Sequence, residues 1–438
     1  MRNRLRNRVL LSASAIAVSM ALVGCGAGSR TGAETATEVT CDFENPAEPT
    51  TVNVLAYNSS AIDPFTNTMV KSCTHDNVTV KHDPIDFPGQ VQKTTATLAG
   101  DQGTYDIIET YSFIIGPNAA DQKLQPLDEL FAKYADEYKL NDLDESMREG
   151  MSYEGKLYGL PMQAQMFVMA YRKDVFDKHG LTPPTTFEEM KAAAKKIQDA
   201  GDMKYPIALP WLSTGDIATQ FQSAMNSLGT DFVDHDTKEA QFTSPEATKA
   251  LNEMKSLLPY MDPQVTTFDQ PKVQQQLYNG TAAMAIMFSG RMNDLTQQTN
   301  SQYFDKFGFA APPAVEEGGE LLFSRLSIDG WSIPANTDLS PDLLFELIAS
   351  AVSEDASKGA IPAAFPARTA LVTPESSPYA AAASESIKKT APPVAAPYNA
   401  DVTNAVISLV AQTILGKLSV EEGQAQMQAA AEKALAKY

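Results

Sequence analysis

Histidine, cysteine and tryptophan are scarce in this chain of 438 residues, which holds four, three and two of them respectively. His75, His82, His179 and His235 form neither an H-E-x-x-H pair nor a Cys/His spacing able to hold zinc. No G-x-S-x-G nucleophile turn occurs, so metallohydrolase and serine-hydrolase readings lack their signatures and no cofactor is expected. With 54 acidic residues, a carboxylate pair of the glycosidase kind stays open as an alternative on composition alone. Three cysteines are too few for a disulfide-built scaffold. Basic residues are also short, 34 against those 54, and the net charge of −20 argues against a nucleic-acid partner. Beyond the N-terminus no apolar run is long enough to cross a bilayer. No repeat recurs at solenoid periods. The balance that remains, 43% apolar and 20% charged, is globular, with length for two or three units of roughly 100–200 residues.

What the chain does have begins at its N-terminus. Arg2, Arg4, Arg6 and Arg8 precede an uncharged, mostly apolar stretch over residues 9–23, the pattern of an export signal. Leu22-Val23-Gly24-Cys25 resembles the lipobox of bacterial lipoproteins, which implies cleavage after residue 24 and diacylation of the Cys25 thiol; a cleaved signal followed by a chance cysteine is the alternative. Two or more acyl chains would anchor the protein at the outer face of the cell membrane. Cleavage would remove four of the 34 basic side chains and none of the 54 acidic ones, so a basic patch on anionic lipid is not the anchor. Residues 25–47 are small, polar and proline-bearing, and read as a flexible tether. Cys41 and Cys73 remain as an even pair in an oxidising compartment; one bridge is expected, with two free thiols the alternative.

From residue 51 short β-rich runs alternate with helical stretches. Strands are expected over 51–57, 77–82 and 105–109, with helices over 63–71 and 89–99 between them. This alternation implies βαβ units on a buried parallel sheet, whose ligands sit beyond the carboxyl ends of the strands. A second α/β region follows, with strands over 166–172, 205–209 and 282–288. A capping box at Thr185–Glu189 opens a helix carrying Phe187, Met190, Ala194 and Ile197 on one face. The last third is alanine-rich, with helices over 401–415 and 419–437.

Several phrases together resemble the extracellular solute-binding proteins of bacterial ABC importers, in the carbohydrate-binding group that includes maltose-binding proteins. They are GKLYGLP at 155–161, AYRKDVF at 170–176 and GLTPPTTFEE at 180–189, then GTAAMAIMF at 280–288, the segment 308–313, DGWSIP at 329–334 and FPART at 365–369. Arg172 stands where the family usually has Asn, and Phe187 where it has Trp. The resemblance covers about residues 50–438. It implies an α/β, two-lobed periplasmic-binding-protein-like fold with a hinge between the lobes. Lobe one would take 48–161 and 332–365, lobe two 162–331 and 366–438, and the hinge strands would lie near 161–165, 324–331 and 361–368. A monomeric receptor, closing on its ligand and serving a membrane ABC permease, is the implied function. A polyol, glycerol-phosphate or peptide ligand is the alternative within that class.

A sugar offers a face of C–H groups and a rim of hydroxyls, which suit aromatic rings and carboxylate, amide or arginine groups respectively. The residues expected at such a cleft are Trp331 and Trp211, each with ordinary packing as the alternative, and Arg368, which could fork onto hydroxyls or bridge the lobes as an ion pair. Gln163 follows the 155–161 phrase where relatives often place a polar contact, and Glu109 ends a strand, with a capping or solvated role as the alternative. Tyr57, Asn58, Tyr111 and Arg291 lie at neighbouring strand exits, and Asp329 is either a ligand contact or a turn residue.

Overall fold

A computed structural model describes residues 36–438; the export segment and Cys25 lie outside them. Strands β1 (Thr50–Leu55), β2 (Val78–His82) and β3 (Ile107–Tyr111) are separated by helices α1 (Asp63–Ser72) and α2 (Phe87–Ala99), and α3 (Ser112–Ala120) follows β3 directly. A small hairpin, β4 (Ser152–Tyr153) and β5 (Lys156–Leu157), leads into the 13-residue strand β6 (Leu160–Arg172). Next come β7 (Ile207–Ala208), the hairpin β8 (Val233–Asp234) with β9 (Glu239–Ala240), β10 (Met284–Phe288), β11 (Phe307–Ala310) and β12 (Leu326–Ser332). The main sheet runs β2-β1-β3-β12-β6-β10-β7, with β11 also on β6. β1 is parallel to β2 and β3, and all five residues of β3 are buried, as expected for a strand covered on both faces.

Two apolar cores form on this frame. The first gathers β1, β2, β3 and β12 with α1 and the helix Pro341–Ala351, and continues past β6 through Ala285, Met287, Met292 and Phe307. The second gathers Trp211, Phe221 and Phe242 with the helices Phe187–Asp199, Asn399–Ile414 and Val420–Leu435. β6 serves both through its period of two. Met162, Ala164, Met166, Val168 and Ala170 point into the first core, while Phe167 and Met169 on the opposite face enter the second. The polar side chains on that opposite face, Gln163 and Gln165, precede the residues that enter the second core.

The three segments expected to cross between lobes lie side by side. β12 pairs with β6 through Ser327↔Gln165 and Asp329↔Gln163. Residues 365–367 flank β6 on its other edge, where Ala164 N–H donates to the Phe365 carbonyl at 2.9 Å and Ala367 N–H to the Met162 carbonyl at 2.9 Å. Helix starts follow their local chemistry. Asp86 accepts from Gly89 N–H and proline follows at the first turn, so α2 begins two residues before the expected 89. Thr186 caps the helix Phe187–Asp199 by accepting from Glu189 N–H at 3.2 Å, and Glu189 reaches back to Thr185 N–H at 2.7 Å. The expected strand over 166–172 extends back to Leu160 and absorbs the end of the 155–161 phrase.

The expected tether needs correction. Residues 36–47 are not loose but strapped along α1: Thr37 N–H donates to Thr68 Oγ1 at 2.9 Å and Val39 N–H to Ser72 Oγ at 3.1 Å. Phe43 stacks on His75 with centroids 4.5 Å apart, and Cys41, 4% exposed, is joined to Cys73 by a disulfide with Cα atoms 5.3 Å apart. Composition could not show this, because the strap is held by distant side chains of α1 and by the bridge to Cys73, contacts that depend on tertiary placement. No helix among the described residues is long and apolar enough to cross a membrane.

Candidate ligand-binding site

The carboxyl ends of the parallel strands β1 and β3 meet β12 and β6 at a buried polar cluster. Glu109, fully buried on β3, accepts from Tyr57 N–H through Oε2 at 2.9 Å, while its Oε1 has no hydrogen-bond partner. Asp329 on β12 is 1% exposed and accepts from Gln165 Nε2 at 2.5 Å, Gln163 Nε2 at 3.1 Å and Ser327 Oγ at 3.2 Å. Tyr111 lies opposite Asp329 across the β3–β12 ladder, and its hydroxyl donates to Gln90 Oε1 at 3.3 Å. Gln163 Oε1 and Ser59 Oγ are also buried without partners. Asn58 Nδ2 donates to Asp63 Oδ2 at 2.7 Å, which fixes the β1 exit to the start of α1.

The far wall comes from the turn Ser289–Arg291 after β10. Ser60 Oγ donates to the Gly290 carbonyl at 3.4 Å. A Cβ at Gly290 would stand 2.8 Å from Gln165 Oε1 and 2.9 Å from the Ala61 Cβ, so only glycine permits this approach. The Arg291 charge bears on Tyr57, Asp216 and Asp294, and Gln274 Nε2 donates to the Arg291 carbonyl at 3.0 Å.

Burial dominates the electrostatics. It pushes the Asp329 carboxyl up to about 6 against the three hydrogen bonds that favour its ionised form. It raises Glu109 well above the usual carboxylate range, with the nearby Asp329 charge adding to the effect. Tyr57 is pushed up to about 12, again chiefly by burial, although Arg291 works the other way. Unpaired buried acceptors in a dry cluster are costly, about 1–3 kcal/mol each, and a ligand with hydroxyl donors would satisfy them.

Of the residues expected at a cleft, Tyr57, Asn58, Glu109, Tyr111, Gln163, Asp329 and Arg291 are thus brought together or border the cluster. Trp331 is the cross-strand neighbour of Glu109, yet its ring is fully buried in the first core with Nε1 unpartnered. Trp211 is likewise fully buried, in the second core. Arg368 is elsewhere. Its guanidinium, 2% exposed in the whole residue, donates to the carbonyls of Val352, Lys139 and Tyr138 at 2.9, 3.0 and 2.7 Å, with Asp142 at 3.6 Å. That fork is spent on carbonyls around the first core and not on a cleft; on the expected lobe bounds it joins Arg368 of lobe two to lobe one, chiefly through main-chain carbonyls. Ser59 belongs to the strand exit where a ligand is expected, whereas Gln165, Ser60 and Gln90 were not anticipated. Gln165 had a signal, a second amide two residues after Gln163 in an otherwise apolar strand. A cavity of 240 Å³ among Asp128, Phe131, Arg148 and Leu157 lies apart from this cluster and contains no buried unpartnered polar atom.

Comparison with known proteins accords with this architecture. Residues 64–358 match the family described as bacterial extracellular solute-binding protein. The mannitol-binding protein of Pseudomonas aeruginosa is 27% identical over 239 residues, which is 53% of this chain and 54% of that one. The chain thus spans little more than half the length of this curated relative. Among solved structures, an ABC-transporter solute-binding protein of Agrobacterium vitis with bound D-mannitol superposes with a TM-score of 0.75 at 24% identity, covering 88% of this chain and 98% of its own. A maltose-bound binding protein of T. maritima gives 0.77 at 17% identity, covering 87% and 99%. The shared fold is the two-lobed, mixed α/β fold of periplasmic binding proteins, and since the family match takes in most of the chain, including β1's partners, β6 and β12, this protein belongs to the bacterial extracellular solute-binding proteins.

Proposed function

We propose that this chain is the receptor of an ABC importer, that it captures a carbohydrate or polyol in the cluster built by Tyr57, Asn58, Glu109, Tyr111, Gln163, Asp329 and Arg291, and that it releases the ligand unchanged to a membrane permease. The observation that carries this reading is the set of buried acceptors without partners, Glu109 Oε1 and Gln163 Oε1, where the carboxyl end of β3 meets β12 and β6. Hydroxyl groups are the donors such atoms lack. The carboxylates of Glu109, Asp329 and Asp294 around Arg291 disfavour an anionic ligand such as a sugar phosphate. The mannitol and maltose named for the relatives support the same class. Hinge closure follows from differential affinity: a ligand touching both walls stabilises the closed form. On this reading the lobes divide at 48–161 with 332–365 and 162–331 with 366–438, and acylated Cys25 holds the receptor at the outer face of the membrane.

The test is a thermal-shift panel of mono-, di- and oligosaccharides, alditols, glycerol phosphate and short peptides. A ligand at 100 times its Kd stabilises the fold by about 2.7 kcal/mol, a shift of several degrees. Glu109→Gln, which keeps the shape but puts an amide N–H2 where a carboxyl oxygen would accept, weakens the responding ligand about tenfold in titration calorimetry, as expected when a buried acceptor is lost, at about 1–3 kcal/mol. A ligand recovered chemically altered, or an unaffected Glu109→Gln, would remove this reading.

A further inference from the structure

Asn58, Ser60, Gln165 and Arg291 leave the cluster partly open, and an aromatic edge borders it. Phe87, the first residue of α2, is 42% exposed and sits between the two tyrosines of the site. Its ring is edge-on to Tyr57 at 5.6 Å and 81°, and to Tyr111 at 5.5 Å and 64°. Tyr111 in turn stacks on Phe113 at 5.3 Å and 6°. Four aromatic rings therefore form a continuous rail along the carboxyl ends of β1 and β3. Val91, one turn further along α2, is also 42% exposed and extends the apolar surface outward.

The rail leads out of the cluster in two directions, and volume decides between them. Beyond Phe113 lies a cavity of only 20 Å³, lined also by Gln222, Asn226 and Arg325, which has room for about one water. Beyond Phe87 lies open surface. Phe87 packs edge-on against Tyr57 and Tyr111 and leaves the rest of its ring to solvent. Its exposed ring face continues directly from the residues that hold the acceptors.

We propose that Phe87 is a specificity-determining platform for a second sugar ring, so that the receptor selects a disaccharide or longer chain over the single unit held at Glu109 and Asp329. The inference rests on the carbohydrate reading above. The C–H face of the outer pyranose lies against Phe87 and Val91, while the inner unit donates its hydroxyls to the buried acceptors. Asp86, which caps α2, and Pro88 hold the Phe87 backbone in place, so the platform is presented without an ordering step in the loop.

Titration calorimetry on the parent chain, Phe87→Ala and Phe87→Tyr separates the outcomes. The probes are D-glucose, D-mannitol, maltose, cellobiose, trehalose, chitobiose and the corresponding trisaccharides. The expected result is that the parent binds one of the oligosaccharides at least tenfold more tightly than its own monosaccharide. Phe87→Ala removes most of that gap and leaves monosaccharide affinity within twofold, and Phe87→Tyr restores the gap. Equal binding of single units and chains by the parent would overturn the platform while leaving a carbohydrate receptor. So would a Phe87→Ala variant that loses both alike, or neither, the last of these pointing to a protein partner on Phe87 instead. No binding by the parent to any probe would overturn both. Unfolding midpoints of the variants confirm that the comparison is between folded proteins.

Discussion

At the scale of single residues, function and stability part company on two buried charges. Asp329 is held up to about 6 by burial, against about 3.9 in an unfolded chain. Between those values the folded protein binds a proton that the unfolded chain has released. The stability from this group is therefore complete below about pH 4 and is lost as pH rises through about 6. Asp329→Asn does not titrate and also takes a charge away from Glu109. Relative to the parent it gains stability as pH rises from 5 to 7, which urea midpoints at matched pH will show; a constant difference would refute the shifted carboxyl. Arg368 makes the opposite case. Arg368→Met leaves three carbonyls without a buried donor and is expected to destabilise the fold by about 3–5 kcal/mol, yet ligand affinity of the folded fraction stays within twofold. A tenfold loss of affinity would return Arg368 to the cleft.

At the scale of elements, the strap over 36–47 and strand β6 are the two that local sequence describes least well. The strap has no helix or strand of its own; side chains of α1 and the Cys41–Cys73 bridge hold it. Closing a loop with a sequence separation of 32 is worth about 2–4 kcal/mol in the chain-entropy account. Cys41→Ser with Cys73→Ser should lower stability by that amount and open residues 36–47 to limited proteolysis, while affinity for any ligand of the cluster persists because the strap lies along Thr68 and Ser72 of α1. Uncut strap in the variant would mean that main-chain bonds suffice. β6 shows how one strand can do two tasks: its apolar face is continuous, whereas its other face changes from Gln163 and Gln165 to Phe167 and Met169 along its length. A strand read only from residue 166 hides that change.

At the scale of the molecule, one sheet carries two cores that share β6, and the first core runs from β1 past β6 to β10 and β11, behind both walls of the polar cluster. A cluster of this kind suits capture of a ligand, since acceptors such as Glu109 Oε1 have no partner within the chain. The strap ties the chain preceding residue 36 to the first core, so an anchor at Cys25 would tether the receptor through that core. Cys25→Ala in the full-length chain should move the protein from the membrane fraction to the medium without changing its ligand affinity. Membrane retention of the variant would refute the lipid anchor.

Much of this was legible in the sequence alone. The βα alternation from residue 51, the cap at Thr186 and the ordered family phrases rest on periodicity and short-range chemistry, which a sequence carries directly, and the Cys41–Cys73 bridge followed from an even pair of cysteines. Most of the polar cluster could also be named, because strand ends in a parallel sheet point to one edge. Tertiary structure alone decided which polar groups converge. The bond from Gln163 to Asp329 joins residues 166 positions apart. It depends on the register of β12 on β6 and on the irregularity between Asp329 and Gly330 that shifts that register by one residue. A shift of one residue exchanges the faces of a strand, and no local pattern fixes it. For the same reason Arg368, which looks as suitable for a ligand as Arg291, is folded into a core, while Gln165 and Phe87 are carried to the site.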